Sequence, residues 1–274
     1  MIHVSTNPAL HLVFDAAAWL SAAALGRFLY GWRLAPTVTA TAATVGRGWF
    51  IGLGVGAALG GYLSGSLVSL AGPAPTLSHS IAGVIAGAIV GVEIYKALHG
   101  IKGSTGAAFA GPLALGIAVG RWGCLFAGLP DGTFGRPTTA PWGVELGDGV
   151  SRHPVQVYES LAMAAFVAVY LAGIARRAPW AMRRGFYVFC AWYGAQRFVW
   201  EFFKPYPSLL WGLDLFQFIA LGLLAYGWLQ FAADRGAERA SDGRGPQERA
   251  VPVPRPDHEP VRDLPGAGSG QGDP

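Results

Sequence analysis

The sequence predicts an all-α polytopic membrane protein, a bundle of seven transmembrane helices with its amino terminus outside and its carboxyl terminus cytoplasmic. Three observations carry that prediction. The chain is 52% hydrophobic and only 13% charged, more apolar than an average soluble domain. It contains seven apolar runs of the length that a bilayer core demands, roughly 20 residues for about 30 Å of hydrocarbon. Its Lys and Arg residues are distributed unevenly among the short connections, which is the signal that sets orientation.

The first run lies near Leu10 to Tyr30. No Lys or Arg precedes it and Asp15 interrupts it, so it reads as a retained helix rather than a cleaved leader. The second, Phe50 to Ala71, includes GLGVGAALGGYLSG (Gly52 to Gly65), whose small residues fit close helix packing. The remaining runs are Ser80 to Leu98, Gly106 to Phe126, Val155 to Ala175, Gly185 to Phe203 and Leu209 to Ala233. Residues 1–233 thus form one membrane domain. Beyond it the chain turns rich in Gly, Pro and mixed charge. Such a segment buries too little apolar surface to offset its chain entropy, so residues 234–274 are expected to be a disordered cytoplasmic tail.

Orientation follows from the connections. Arg33 and Arg47 lie in the first, Lys96 and Lys102 in the third, and Arg176, Arg177, Arg183 and Arg184 in the fifth, so these connections are assigned to the cytoplasm. The even connections carry fewer: none in the second, Arg136 and Arg152 against Asp131, Glu145 and Asp148 in the fourth, and Lys204 in the sixth. On this topology Asp15, His79, Ser80, Arg121, Glu159, Arg197, Glu201, Asp214 and Gln217 all fall in the outer half of the membrane, with Glu93 alone near the inner face. Ionisable groups inside spans are costly and usually mark a working site.

Arg197 and Glu201, four residues apart, share a helix face and can pair. Structural ion pairs tying helix ends together would explain such a cluster, and so would a polar cavity opening to the outer leaflet. Fixed arginines and carboxylates at headgroup depth suit an anionic lipid headgroup better than a midplane transport site. Arginine presents a planar fork that matches phosphate oxygens two at a time. Arg121 and Arg197 could therefore hold a phosphodiester and stabilise charge as an ester bond breaks. Glu201 or Glu159 could orient an arginine or act as a base.

The fourth connection, Ala127 to Pro154, is about 28 residues long, a length that usually signals function or disorder. Its prolines and aromatics favour function. His153 and Tyr158 also fit an interfacial aromatic belt. The basic residues do not gather on one soluble face, which excludes nucleic acid as a partner. With two cysteines, Cys124 and Cys190, in different helices, neither a disulfide framework nor a thiol metal site is expected. Cys124 reads as a small packing residue or a reactive thiol.

Four stretches in order, GRWGC (Gly120 to Cys124), GRPTTAPWGV (Gly135 to Val144), RHPVQVYE (Arg152 to Glu159) and RFVWEFFKP (Arg197 to Pro205), resemble the prolipoprotein diacylglyceryl transferases of bacteria. The resemblance runs from about His11 to Gln230 and makes residues 1–233 a transferase-like domain. It implies transfer of a diacylglyceryl group from phosphatidylglycerol to the lipobox cysteine of prolipoprotein signal peptides, as a thioether, with release of glycerol phosphate. It further implies the bacterial cytoplasmic membrane, an active site facing the outer side, and neither metal nor organic cofactor. Carried over residue by residue, it makes Arg121 a phosphatidylglycerol-binding arginine, Arg197 and Glu201 important catalytic residues, and Gly135 an essential loop glycine. Gly123 and Arg136 stand beside these as headgroup-binding candidates, with Cys124, Tyr158 and Glu159 in support.

The pattern departs from the family at defined points. Cys124 and Ala127 stand where asparagines are usual, Asp131 is the displaced acidic residue, and His11-Leu12-Val13 replaces a His-x-Tyr pattern. His79 lies two residues before the family's third-helix histidine. The departures call for Asp131, His79 or His153 to supply the missing polar groups. They also leave open a protein that binds anionic phospholipid without transferring it. A small-anion transporter is the third possibility, and it would need the polar cluster to connect to the cytoplasm.

Overall fold

A computed structural model describes residues 2–70 and 77–242. Its long elements are α1 (Ala9–Leu29), α2 (Ala35–Thr44), α3 (Arg47–Leu70), α4 (Ile81–Leu98), α5 (Ala110–Ala127), α6 (Val155–Ala175), α7 (Pro179–Glu201) and α8 (Leu215–Asp242). A π-helical turn at Tyr30–Leu34 joins α1 to α2, so helical structure runs through Ala9–Thr44. The sequence reading left this first connection as a loop. Thr39, Thr41 and Thr44 instead return their hydroxyls to carbonyls three or four residues back, satisfying side chains whose competition with the backbone usually disfavours helix.

Six helical stretches are long and apolar enough to cross a membrane. The long helix α7, read from sequence as the run Gly185 to Phe203, carries Arg183, Arg184, Arg197 and Glu201 and is not among these six. Arg184, Arg197 and Glu201 are buried, so those charges face protein. The chain is therefore a polytopic all-helical membrane protein. Leu12, Trp19, Phe50, Ile51, Leu59, Leu161 and Trp228 are among the large apolar side chains left on its surface, as a lipid solvent permits.

The core is built from α1 against α5, α5 against α6, and α6 against α7, with Phe166, Tyr170, Phe189 and Tyr193 at its centre. Helix α3 packs on α4 through facing small residues. A Cβ placed on Gly56 would meet the carbonyl of Gly87, whereas one on Gly54 would meet nothing. Close approach of this kind lets dispersion act between backbones. Gly56→Leu is therefore expected to cost about 1–3 kcal/mol and Gly54→Leu to be near neutral, as read by thermal unfolding in detergent.

The tail expectation needs one correction. Residues 234–242 lie within α8, a stretch rich in the good helix formers Ala, Arg and Glu, with Asp234 paired to Arg184 at 3.2 Å. Residues 243–274 lie outside the described residues. The compact unit Met1–Arg235 contains every site residue.

A short parallel pairing joins β1 (Ile2–His3) to β2 (Val144–Glu145), a contact too brief to leave a periodic signal in the sequence. Glu145 accepts hydrogen bonds from the Gly149 and Gly147 amides at 2.8 and 2.5 Å and meets His3 Nδ1 at 3.0 Å. The Gly149 amide first, then His3, holds its carboxyl below the usual range. A depressed carboxyl contributes stability above its ordinary pKa and loses it as pH falls through the folded value. Amide exchange at Ile2–Val4 is thus expected to accelerate as pH drops below the carboxylate range, after correction for intrinsic exchange rates, and to lose that dependence in Glu145→Gln.

Candidate active site

Three helices converge one end of each on a single charged cluster. Arg121 comes from the last two turns of α5, Glu159 from the first turns of α6, and Arg197 and Glu201 from the end of α7. Lys204 follows just beyond α7. All five are nearly inaccessible, from 1% exposed for Glu159 to 7% for Arg121.

Glu159 is the hub. Its Oε1 receives Arg197 Nη1 at 2.8 Å and Lys204 Nζ at 2.6 Å, and its Oε2 pairs with Arg121 Nε. Arg197 Nε lies 3.0 Å from Glu201 Oε2, and Lys204 Nζ 3.3 Å from the same oxygen. Three cations thus meet two carboxylates, leaving one net positive charge in a buried site. Such a set tolerates burial only because each charge is paired. Its surplus favours an anion. Burial first, then the neighbouring Arg197, also pulls the Lys204 ammonium below its ordinary pKa, against the two carboxylates.

Beside the cluster lies a cavity of about 210 Å³ whose lining includes Arg136, Glu201, Tyr206, Ser208, Asp214 and Gln217. Asp214 and Gln217 cap the start of α8 reciprocally: each side-chain oxygen accepts the other's amide at 2.9 Å. Burial, the leading influence, raises the Asp214 carboxyl above its usual range.

The fourth connection is ordered over the site. Arg136 donates its amide to the Phe203 carbonyl at 2.7 Å and its Nε to the Lys204 carbonyl at 2.9 Å. The His153 amide returns to the Arg136 carbonyl at 3.0 Å. Gly135 sits where a Cβ would strike the His153 carbonyl, so Gly135→Ala is expected to push this crossing apart and expose Lys204 to amine-reactive labelling. His153 itself rests on an aromatic shelf, 4.9 Å from the Phe203 ring and 3.3 Å from the Tyr158 hydroxyl, which Trp142 Nε1 also reaches at 2.7 Å.

A second polar group lies across Arg121. His11 on α1 places Nδ1 2.9 Å from Asp15 Oδ2 and Nε2 3.1 Å from Asp131 Oδ1. Cys124 Sγ lies 3.9 Å from that Nε2 and 3.7 Å from Arg121 Nη1. Thr133 donates to Asp131.

The structure therefore gathers Arg121, Glu159, Arg197 and Glu201 as the sequence expected, and sets Arg136 on the adjoining cavity. It places Asp131 and Cys124 in the second group and His153 with Tyr158 on the shelf. Gly123 faces Phe14 and His11 of α1, where it serves helix approach, and His79 lines a separate cavity of about 140 Å³ with Tyr62. Of the polar substitutes weighed from sequence, only Asp131 adjoins His11. Lys204 was missed as a site residue, although three residues after Glu201 it lies within reach of that carboxylate. One donor atom each from His11, Cys124 and Asp131 lies within 4.8 Å of the others.

The fold and this cluster together define a polytopic membrane protein with a buried, net positive site at one end of its bundle. A sequence model of the prolipoprotein diacylglyceryl transferase family matches residues 79–233, more than half of the chain. The chain belongs to that family. It is 38% identical over 137 residues to the phosphatidylglycerol–prolipoprotein diacylglyceryl transferase of Solidesulfovibrio magneticus, covering 47% of this chain and 45% of the relative. The enzyme of the same name from Bordetella parapertussis is 32% identical over 153 residues, 52% of this chain and 57% of the relative. The matches thus span about half the length of these curated relatives or less. No solved structure matches.

Proposed function

We propose that this chain transfers a diacylglyceryl group from phosphatidylglycerol to the lipobox cysteine of prolipoprotein signal peptides, in the bacterial cytoplasmic membrane with its site toward the outer face. The observation that carries this reading is the buried set of three cations on two carboxylates at the ends of α5, α6 and α7. Family membership supports the reaction class.

In this reading Arg121, Arg197 and Lys204 hold the phosphodiester and stabilise the charge that gathers on the departing glycerol phosphate. The acceptor sulfur attacks the glyceryl carbon and the carbon–oxygen bond to phosphate breaks, leaving a thioether. Thiolate is the stronger nucleophile, so the thiol must lose its proton. Glu201 lines the cavity and is the carboxylate placed to receive it. Glu159, enclosed by three cations, is a positioning residue. Arg136 reaches the same cavity and adds a headgroup contact, while His153 and Tyr158 shape its approach.

Purified protein given phosphatidylglycerol vesicles and a lipobox peptide is expected to yield the thioether peptide, read by mass spectrometry. Absence of product, with a curated relative active in parallel, overturns the reading; retained lipid without product identifies a phospholipid-binding protein instead.

A further inference from the structure

We propose that Gln217, with Asp214, reads the hydroxyl groups of a phospholipid headgroup in the cavity beside the charged cluster, and so selects a polyol-bearing donor lipid over one that ends in an ammonium or an alkyl group. Asp214 precedes α8 and Gln217 is its third residue, the two places of a capping box. The cap accounts for only half of the Gln217 side chain. Its Oε1 accepts the Asp214 amide at 2.9 Å, which fixes which way the side-chain amide is turned. The other half, Nε2, is buried on a residue only 2% exposed, and among the described residues nothing accepts from it. A glutamate would close the same cap and leave no buried donor unpaired. Gln217 lines the cavity of about 210 Å³, and with Oε1 committed to the helix end, the amide nitrogen is what it has to offer a ligand there.

The rest of the lining decides what that donor meets. Glu201 and Asp214 bring carboxylates to the cavity, Ser208 a hydroxyl, and Arg136 a guanidinium anchored through Nε to the Lys204 carbonyl at 2.9 Å. Two carboxylates repel a phosphate. An ammonium satisfies them but carries no lone pair for Gln217 Nε2, and an alkyl end satisfies neither. A hydroxyl donates to a carboxylate and accepts from the amide at once. Neighbouring hydroxyls on a short chain therefore fit this mixture of donor and acceptors where the other headgroup ends do not. The placement rests on the transferase reading: with the phosphate held by Arg121, Arg197 and Lys204, the cavity that shares Glu201 with them receives the glycerol end of the same lipid.

The test compares phosphatidylglycerol with phosphatidylethanol, a phosphodiester of the same charge whose headgroup has no hydroxyl. Each is titrated into the detergent-solubilised whole chain, with bound lipid read by native mass spectrometry. The parent is expected to hold phosphatidylglycerol at least about tenfold more tightly, the scale set by pairing a buried donor against leaving it unpaired. Gln217→Glu keeps the oxygen that caps α8 and replaces Nε2 with a second oxygen. It should bring the ratio close to one and improve the relative binding of phosphatidylethanolamine. Asp214→Asn, which keeps Oδ1 for the Gln217 amide, should lower the ratio severalfold. A parent ratio of one overturns the inference, as does an unchanged ratio in Gln217→Glu. Parallel loss of both lipids in that variant assigns Gln217 to the phosphate or to the fold, and overturns it too. Transfer to a lipobox peptide from the same two lipids separates the two readings. Selective binding without thioether product refutes the transferase and leaves headgroup selection standing; thioether formed equally from both lipids does the reverse.

Discussion

Arg121→Ala is expected to lower diacylglyceryl transfer by about 10²–10³-fold, the usual cost of removing one preorganised donor from developing negative charge, while the protein stays folded. The fold survives because Glu159 keeps Arg197 and Lys204 as partners, so no carboxylate is left bare. Transfer does not survive, because Arg121 stands between the carboxylate cluster and Cys124 and, among the described residues, no other cation touches both. Arg121→Lys should rescue little, since an ammonium offers a point charge in place of a planar fork. The check is the thioether assay on variants whose thermal unfolding matches the parent. Full turnover in Arg121→Ala would remove the phosphate-anchoring role.

Glu159→Gln is expected to act in the opposite sense, on the fold before the chemistry. It leaves three buried cations facing Glu201 alone, and stranding buried charge typically costs 3–5 kcal/mol or so. A large drop in the unfolding midpoint in detergent is the expected reading. Lys204→Met in the Glu159→Gln background should recover part of the loss by removing one stranded cation, a coupling that a double-mutant cycle measures directly. If Glu159→Gln unfolds like the parent, the ion pairs seen at this carboxylate contribute little.

What could be read from sequence divides along physical lines. Six apolar runs declare themselves because a lipid solvent imposes one length and one composition on every span. Helix α7 was read as a seventh run, Gly185 to Phe203, and the spacing of Arg197 and Glu201 within it announces that its charges share a face. That Arg121, Glu159 and Arg197 share a depth followed from alternating helix direction, since groups late in one helix and early in the next lie at the same end. Nothing comparable brings His11 to Asp131. Their meeting depends on how α1 leans on α5 through Gly123 and on the turn after α5, where Gly128 at φ 76° reverses the chain. Such contacts are set by packing angles and turn geometry, which leave no period. The β1–β2 pairing and the π-helical turn were invisible for the same reason, being too short to repeat.

The clasp between Arg136 and the Phe203 and Lys204 carbonyls has a consequence for the sign of the site. Within the helices the charges balance, Arg121 and Arg197 against Glu159 and Glu201. The surplus belongs to Lys204, which lies beyond α7 and is tied down by the fourth connection. The bundle alone is therefore electrically neutral at this point. Attraction for an anion is conferred by a loop, and would be withdrawn with it.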